Sequence, residues 1–315
     1  MPTAPDRSRL ISIVQSRQNA RVRELRAAFT RSGREESEVI AIEGEHLLSE
    51  ALRSGLRLHT VFIRSDPDTR TEPDRRNLRV LERLPLPAPV PIVSLNPAVF
   101  ASAVETESPQ GIAALVEPPH FSLADALAAP NPLIVVAAAL QDPGNFGTLI
   151  RSAEAFGASG VIALPGTVDV WNSKALRASA GSAFRVPVIA EKSATAFAAL
   201  AEHRIPLLAA VPGAVPASAD SDATGPDSTD PDSTGSDSTD HDATGPAAIP
   251  CTEADLTGPI AILIGNEGAG LSSELLERAD QRIAIPTPGP VESLNAAVAA
   301  SILLYEAARQ RYRKL

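Results

Sequence analysis

The feature that most constrains this chain is a pair of uninterrupted apolar runs, each ending in a glycine-rich loop. Residues 133–140 lead into Gln-Asp-Pro-Gly-Asn-Phe-Gly at 141–147, and residues 260–264 lead into Gly-Asn-Glu-Gly-Ala-Gly at 265–270. Strands that are apolar on both faces are typical of parallel sheets covered by helices on both sides. The strand and helix patterns that alternate from residue 133 onward predict a doubly wound α/β fold. Ligands of such folds bind at strand exits, so both loops are candidate binding elements.

A third loop follows the next apolar run and completes the candidate site. Residues 283–285 lead into a proline-rich loop at 286–290, and Glu-Ser-Leu-Asn at 292–295 then precedes a long alanine-rich helical pattern. The dinucleotide pattern Gly-x-Gly-x-x-Gly is absent, since residues 144–147 are too short for it and 265–270 carry its spacing reversed. A nicotinamide-dependent enzyme is therefore disfavoured.

Composition divides the chain of 315 residues into parts that suit two domains. The predicted parts are a basic N-terminal arm at 1–35, a small α/β domain at 36–117, a linker at 118–131 and the doubly wound domain at 132–315. Within the small domain, residues 64–89 are rich in proline, arginine and aspartate, which predicts a loop with a short strand at 78–81.

Charge is distributed unevenly along the chain. The arm at 1–35 carries eight arginines against three acids, and an amphipathic helix is predicted from about Asn19. This arm is either a solvated helix face or a contact for phosphates, which arginine binds well. Residues 216–250 hold eight aspartates, no lysine or arginine and a ten-residue repeat, so a disordered acidic insert is predicted. Calcium binding is the alternative, but the spacing lacks the glycine and terminal glutamate of an EF-hand loop.

Several classes of protein are disfavoured by composition. Cys251 is the single cysteine, so no intrachain disulfide is expected. No apolar run approaches the roughly 18 residues of a membrane span, and the first ten residues lack the apolar core of a signal peptide. The five histidines show no metal-ligand spacing. A cytoplasmic protein without metal or membrane partners is therefore predicted.

Three segments of the larger domain occur in a specific order. They are Asn145-x-Gly147-x-x-x-Arg151-x-Ala153, then Ile264-Gly265-Asn266-Glu267-x-x-Gly270-Leu271, and then Ile285-Pro286 with Glu292-Ser293-Leu294-Asn295-x-x-x-Ala299. Together they resemble the three motifs of the SpoU/TrmH RNA ribose methyltransferases of the SPOUT superfamily. One departure is Thr287, where that family commonly has methionine.

The N-terminal part is similar, more weakly, to the substrate-binding domain of the same family, which resembles ribosomal protein L30e. The matching segments are Ser16-x-x-Asn19-x-x-Val22-x-x-Leu25, Ile42-Glu43-Gly44 and Thr106-Glu107-Ser108-Pro109-Gln110-Gly111. The resemblance implies a trefoil-knotted methyltransferase domain that binds S-adenosylmethionine, and a homodimer whose site is completed across the interface. It implies 2′-O-methylation of RNA, with 23S ribosomal RNA the expected substrate. The alternatives are a tRNA methyltransferase and a non-catalytic RNA-binding relative.

The resemblance also assigns residues to roles. Its catalytic set is Asn145, Arg151, Glu267, Ser293 and Asn295, and its cofactor set is Ile264, Gly265, Asn266, Gly270, Ile285, Pro286 and Leu294. An RNA-binding set is predicted from positive charge: Arg17, Arg21, Arg23, Lys174 and Arg177. An arginine is essentially always protonated, so Arg151 is expected to stabilise a developing alkoxide rather than act as a base.

Each of these residues also has a plainer interpretation. Arg151, which the pattern places in the first turn of a helix at 148–156, could simply pair with Glu154. Asn145 suits a helix N-cap, and Ser293 and Asn295 could cap the last helix. Glu267 could bind the amides of its own loop. Contacts in the folded protein distinguish these alternatives.

Overall fold

The computed structural model describes residues 11–65, 72–87, 89–213 and 248–312. These residues form a five-stranded sheet within 11–116 and a seven-stranded sheet within 133–284. Residues 214–247 lie outside the described residues, and they include most of the acidic insert predicted at 216–250. Within the described ranges no helix is both long and apolar enough to cross a membrane.

The smaller sheet has the order β1-β4-β3-β5-β2, with β5 antiparallel to β3 and β2 and the other pairs parallel. Five helices accompany it. The strands are β1 (Ile11–Val14), β2 (Ile40–Glu43), β3 (Leu58–Arg64), β4 (Ile92–Leu95) and β5 (Ile112–Val116), and the helices are α1 (Ala20–Phe29), α2 (Arg31–Ser37), α3 (Glu45–Arg53), α4 (Glu72–Arg83) and α5 (Pro97–Ala103).

The predicted basic arm is not separate from this domain over the residues that are described. β1 pairs with β4, and α1 buries Val22 and Leu25 completely against the sheet. Asn19 caps α1 by accepting a hydrogen bond from the amide of Arg21. The boundary predicted at residue 35 is therefore wrong, because the apolar stripe between the arginines belongs to the core of the small domain.

The loop and short strand predicted at 64–89 are also wrong, because residues 72–83 form α4. Asn77, Val80, Leu81 and Leu84 are buried at the spacing of one helix face. The many arginines and prolines nearby concealed this stripe. Helix α5, which was not predicted, begins with Pro97 in its first turn after the N-cap Asn96.

The larger sheet is entirely parallel and confirms the α/β prediction. Its order is β10-β12-β9-β11-β6-β7-β8. The strands are β6 (Leu133–Ala137), β7 (Gly160–Ala163), β8 (Val188–Ala190), β9 (Leu207–Val211), β10 (Ile249–Pro250), β11 (Ile260–Ile264) and β12 (Gln281–Ala284), and the helices are α6 (Leu123–Leu127), α7 (Pro143–Ala155), α8 (Ser173–Ala178), α9 (Ser193–Glu202), α10 (Ser273–Arg278) and α11 (Ala296–Tyr312).

Two boundaries differ from those predicted. The acidic insert was expected to reach residue 250, but Ile249–Pro250 is β10 and pairs with the edge of β12, so the sheet resumes earlier. The expected linker at 118–131 contains α6, whose Ala126 is fully buried against β7. In both places a short apolar segment next to polar residues is removed from solvent, fully at Ala126 and partly at Ile249.

The strand order creates a switch point in the larger sheet. From β6 the chain steps outward through β7 to β8, and it then crosses to the other side of the sheet, where β9 pairs with β11 and β12. The carboxyl ends of the central strands therefore open into a common crevice, where open α/β sheets bind ligands. The trefoil knot stays a prediction.

Candidate active site

A cavity of about 360 Å³ lies at the carboxyl ends of β9, β11 and β12. It is lined by the glycine-rich loop 265–270, by the loop that follows β12, and by the start of the last helix. Six of the seven predicted cofactor residues line it, whereas Pro286 does not and is exposed. The lining residues from the predicted sets are Ile264, Gly265, Asn266, Glu267, Gly270, Ile285, Ser293 and Leu294.

Asn266 organises the glycine-rich loop. Its backbone exchanges two hydrogen bonds with Gly270, at 3.1 and 3.0 Å. Its side-chain Nδ2 donates to the carbonyl of Ala139 at 2.8 Å, and its Oδ1 accepts from the amides of Gly268 and Ala269. A Cβ at Gly265 would lie 2.6 Å from the backbone of Gly270, so this closure requires glycine there. The loop amides are thus taken by Asn266 and not, as one alternative had it, by Glu267.

The three motifs meet through a chain of side-chain amides at the mouth of the cavity. Asn295 Nδ2 donates to Asn145 Oδ1 at 3.0 Å, and Asn145 Nδ2 donates to Glu267 Oε1 at 2.8 Å. Asn295 Oδ1 accepts from the amides of Ala297 and Val298, so Asn295 also caps α11. The cap decides which way the Asn295 amide points, and Asn295 in turn orients Asn145. Capping and site formation are therefore one arrangement.

Helix α7 begins earlier than predicted, which moves Arg151. Asp142, rather than Asn145, is the N-cap, and its carboxylate accepts from the amide of Asn145 at 2.8 Å. That hydrogen bond is the chief reason why the pKa of Asp142 lies below its usual value. Lys174 of α8 also reaches Asp142, with Nζ 3.3 Å from Oδ2. The Asp-Pro pair after a strand could have signalled this start, because proline suits the first helical position.

Arg151 consequently lies in the third turn of α7, not in the first. It is exposed and does not line the cavity. Within the described ranges no hydrogen bond or ion pair engages its guanidinium. The alternative pairing with Glu154 is absent, and both oxygens of Glu154 accept hydrogen bonds from Arg185. The single chain thus assembles Asn145, Glu267, Ser293 and Asn295 but leaves Arg151 outside.

The five residues of the predicted RNA-binding set are all exposed. Arg21 contacts Thr60 Oγ1 at 3.1 Å, which ties α1 to β3. Lys174 and Arg177 lie on α8, which packs against α7, and Lys174 is next to the start of α7. Their distribution over two domains is suited to an extended polyanion, and their role stays a prediction.

Two further observations bear on the site. Thr287, the departure from the family pattern, lines the cavity and donates to the carbonyl of Gly213 at 3.2 Å, so it joins the loops after β9 and β12. A larger cleft of about 660 Å³ lies between the two domains. It contains none of the predicted catalytic or cofactor residues, so the smaller cavity is the candidate active site.

Comparisons with known proteins agree with this geometry. Residues 132–305 match the model of the SpoU rRNA Methylase family, and residues 19–114 match that of the MRM3-like substrate binding domain. The chain is 30% identical over 293 residues to the 23S rRNA (guanosine(2553)-2′-O)-methyltransferase RlmP of Bacillus subtilis, covering 93% of this chain and 97% of that protein.

A sequence and a crystal structure from Streptomyces viridochromogenes are also similar to this chain. A 23S rRNA (uridine(2479)-2′-O)-methyltransferase is 35% identical over 207 residues, which are 66% of this chain and 63% of that one. The crystal structure of the SpoU methyltransferase AviRb in complex with AdoMet superposes with a TM-score of 0.72 at 27% identity, and the match covers 94% of this chain and 99% of that one.

Proposed function

This chain belongs to the SpoU rRNA methylase family, and on that premise we propose that it methylates a ribose 2′-hydroxyl in 23S ribosomal RNA. Membership makes it an S-adenosylmethionine-dependent RNA 2′-O-methyltransferase. The observation that carries the proposal is the Asn295–Asn145–Glu267 chain, which joins all three motifs at the mouth of one cavity. Capping of α11 by Asn295 does not require the contact between Asn145 and Glu267, which a catalytic role explains.

The cavity residues fit S-adenosylmethionine. A volume of about 360 Å³ lies at the lower end of the range for small-molecule sites, and the lining combines apolar side chains with exposed backbone at a glycine turn. We propose that Ile264, Ile285 and Leu294 hold the apolar parts of the cofactor, while the loop 265–270 offers backbone groups. When bound, S-adenosylmethionine supplies an electrophilic methyl group for in-line transfer.

The roles of the polar residues follow from their contacts. Arg151 stabilises the developing alkoxide of the ribose, because a permanently protonated guanidinium is suited to negative charge and not to proton abstraction. Asn145 and Asn295 orient Glu267, whose Oε2 has no partner among the described residues and is available to the substrate or to an arginine of the partner. Ser293, which lines the cavity without a partner within the described ranges, contacts the bound ligand.

We further propose a homodimer in which Arg151 acts in the partner's cavity. α11 exposes Val298, Tyr305 and Tyr312, which share one face of the helix at spacings of seven residues. This apolar face continues to the end of α7, because the C-cap residue Phe156 packs edge-on against Tyr305 with ring centroids 5.8 Å apart. Arg151 lies on α7, five residues before Phe156. A twofold contact through this face would carry Arg151 towards the other subunit.

Substrate recognition is assigned to the small domain together with α8. The small domain matches a substrate-binding family model, and Arg17, Arg21 and Arg23 lie on its exposed surface. We propose that these residues and Lys174 and Arg177 contact RNA phosphates, and that the protein is cytoplasmic and needs no metal. RNA of this kind is recognised largely by its shape and its loops.

The first test mixes the protein with labelled S-adenosylmethionine and ribosomal RNA that lacks modifications. We expect transfer to 23S rRNA, and near-complete loss of turnover in Arg151→Ala with cofactor binding retained. Arg278→Ala is the matched control, since Arg278 is exposed at the amino ends of the strands, beside the start of β9. Absence of transfer by folded protein that binds the cofactor would contradict the proposed activity.

A second test separates action within one chain from action across the dimer. Arg151→Ala has an intact cavity, and Leu294→Trp keeps Arg151 but fills the cavity, so neither should be active alone. If Arg151 acts across the dimer, mixing the two should restore about one quarter of wild-type activity, because half of randomly paired dimers are mixed and each has one complete site. No restoration after verified subunit exchange would place Arg151 in its own cavity.

A further inference from the structure

Glu154 lies next to Arg151 but is not paired with it. The two residues are three positions apart on α7, a spacing at which opposite charges on a helix surface attract. Instead Glu154 accepts two hydrogen bonds from Arg185, from Nε to Oε1 at 2.5 Å and from Nη2 to Oε2 at 3.0 Å. This two-pronged geometry is the strong form of a carboxylate–guanidinium contact. Arg185 thus uses both oxygens of the carboxylate nearest in sequence to Arg151.

Arg185 is itself held on its other side by the small domain. Its Nη1 donates to Glu50 Oε2 at 2.8 Å and lies 3.2 Å from Ser54 Oγ. Glu50 is buried, and its approach depends on Gly181, where a Cβ would lie 2.6 Å from Glu50 Cβ. Gly181 has a φ of +88°, which favours glycine there. The position of Arg185 is therefore defined by contacts from two domains.

We infer that Arg185 is a positioning residue that keeps the Arg151 guanidinium available for the reaction by binding Glu154. This inference rests on the proposed role of Arg151. Without Arg185, the Glu154 carboxylate would lose its charged partner and turn to the neighbouring cation on its own helix. The resulting Arg151–Glu154 pair would withdraw positive charge from the substrate, although every residue of the proposed active site would still be present.

The variants are Arg185→Met, Glu154→Gln and the double variant. Arg185→Met should lower kcat about two- to fivefold, because an exposed Arg151–Glu154 ion pair is favoured over the unpaired state by about that factor. The KM for the cofactor should be unchanged. Glu154→Gln should be close to wild type, because Arg151 stays free. The double variant should recover the activity of Glu154→Gln, although it restores none of the contacts between the domains. Added salt should also narrow the difference between Arg185→Met and wild type by screening the new pair.

Glu50→Gln is the matched control for domain contact, because it removes the charge on the other side of Arg185 and leaves Glu154 bound. If Glu50→Gln reproduces the loss in Arg185→Met, or if the double variant stays as impaired as Arg185→Met, the inference is overturned and Arg185 acts through domain docking. Full activity of Arg185→Met would also overturn it.

A readout that does not depend on turnover separates this inference from the proposed function. The rate at which phenylglyoxal modifies Arg151, followed by peptide mass spectrometry, should fall in Arg185→Met and return in the double variant. An inactive wild-type protein that shows this pattern would contradict the proposed activity alone. Equal modification rates in all variants would refute the competition for Glu154.

Discussion

Replacing Gly147 by alanine tests how closely α7 and α8 approach each other. Gly147 is buried in α7, and a Cβ there would lie 2.2 Å from the carbonyl oxygen of Ala175, 2.6 Å from Ala178 Cβ and 2.9 Å from the amide nitrogen of Ser179. Two of these three atoms belong to the backbone of α8 and the residue after it, so no side-chain rotation relieves the contact. The helices would have to separate by roughly 0.8 Å or more, since real contacts of this kind do not fall below 3.0 Å.

Two opposing effects decide the outcome. Alanine is favoured over glycine in a helix interior by about 1 kcal/mol. Overpacking a well-filled core costs about 1–3 kcal/mol, and a clash with backbone lies at the upper end of that range. We therefore expect Gly147→Ala to lower the free energy of unfolding by about 2 kcal/mol, despite its better helix propensity, and to lower the melting temperature by roughly 4 °C.

The assay is urea denaturation followed by circular dichroism, together with methyl transfer to rRNA. Gly258→Ala is the matched control, because its added Cβ meets nothing within 4 Å and its φ is not positive. That variant should be neutral or slightly stabilised. We expect Gly147→Ala to lose activity as well, since α7 carries Asn145 and Arg151 while α8 carries Lys174. A Gly147→Ala protein as stable as wild type would refute the steric reasoning.

Three further predictions follow from contacts elsewhere in the fold. Arg311 donates to four backbone carbonyls around residues 131–132 and 256–258, so Arg311→Ala should cost about 2–3 kcal/mol in urea denaturation, while the exposed control Arg278→Ala should cost little. Asn295→Asp keeps the oxygen that caps α11 but places an acceptor against Asn145 Oδ1, so we expect a nearly unchanged melting temperature and at least roughly tenfold slower methyl transfer; an active variant would show that the amide chain is dispensable. The hydrogen bonds from Arg185 lower the pKa of Glu154 below its ordinary value of 4.5. The ionised Glu154 should therefore stabilise the fold fully above pH 4.5, and this stabilisation should disappear as the pH falls through the lower pKa of the folded state. The measurement is the difference in unfolding free energy between wild type and Glu154→Gln as a function of pH.

Much of the site was predictable because its elements are local. The apolar runs before residues 141 and 265 predict buried parallel strands without any knowledge of their partners, and the glycine and proline loops mark their exits. Motif order then indicated the family, a cofactor cavity and eight of the residues that line it. Pro286 was the exception in the cofactor set, because its place in a motif does not say which way a loop residue faces.

Sequence patterns did not indicate the contacts between residues that are distant in the sequence. Asn145 meets Glu267 and Asn295, at separations of 122 and 150 residues, only because β6 and β11 are neighbours in the sheet and α11 packs on α7. Local spacing left open a pairing of Arg151 with Glu154, whereas the fold brings Arg185 to Glu154 from a different segment.

By itself, the sequence determined the fold class, the three loops and the chemistry available in them, because hydrophobic period, turn residues and caps act within a few positions of one another. Only the tertiary structure decided which amide orients which carboxylate, why Gly147 must lack a side chain, and that Arg151 lies outside its own cavity with no partner among the residues that the structure describes. Those outcomes depend on strand order and helix packing. Both bring together residues that are far apart in the sequence, and the neighbours of such residues in the sequence carry no information about the contact.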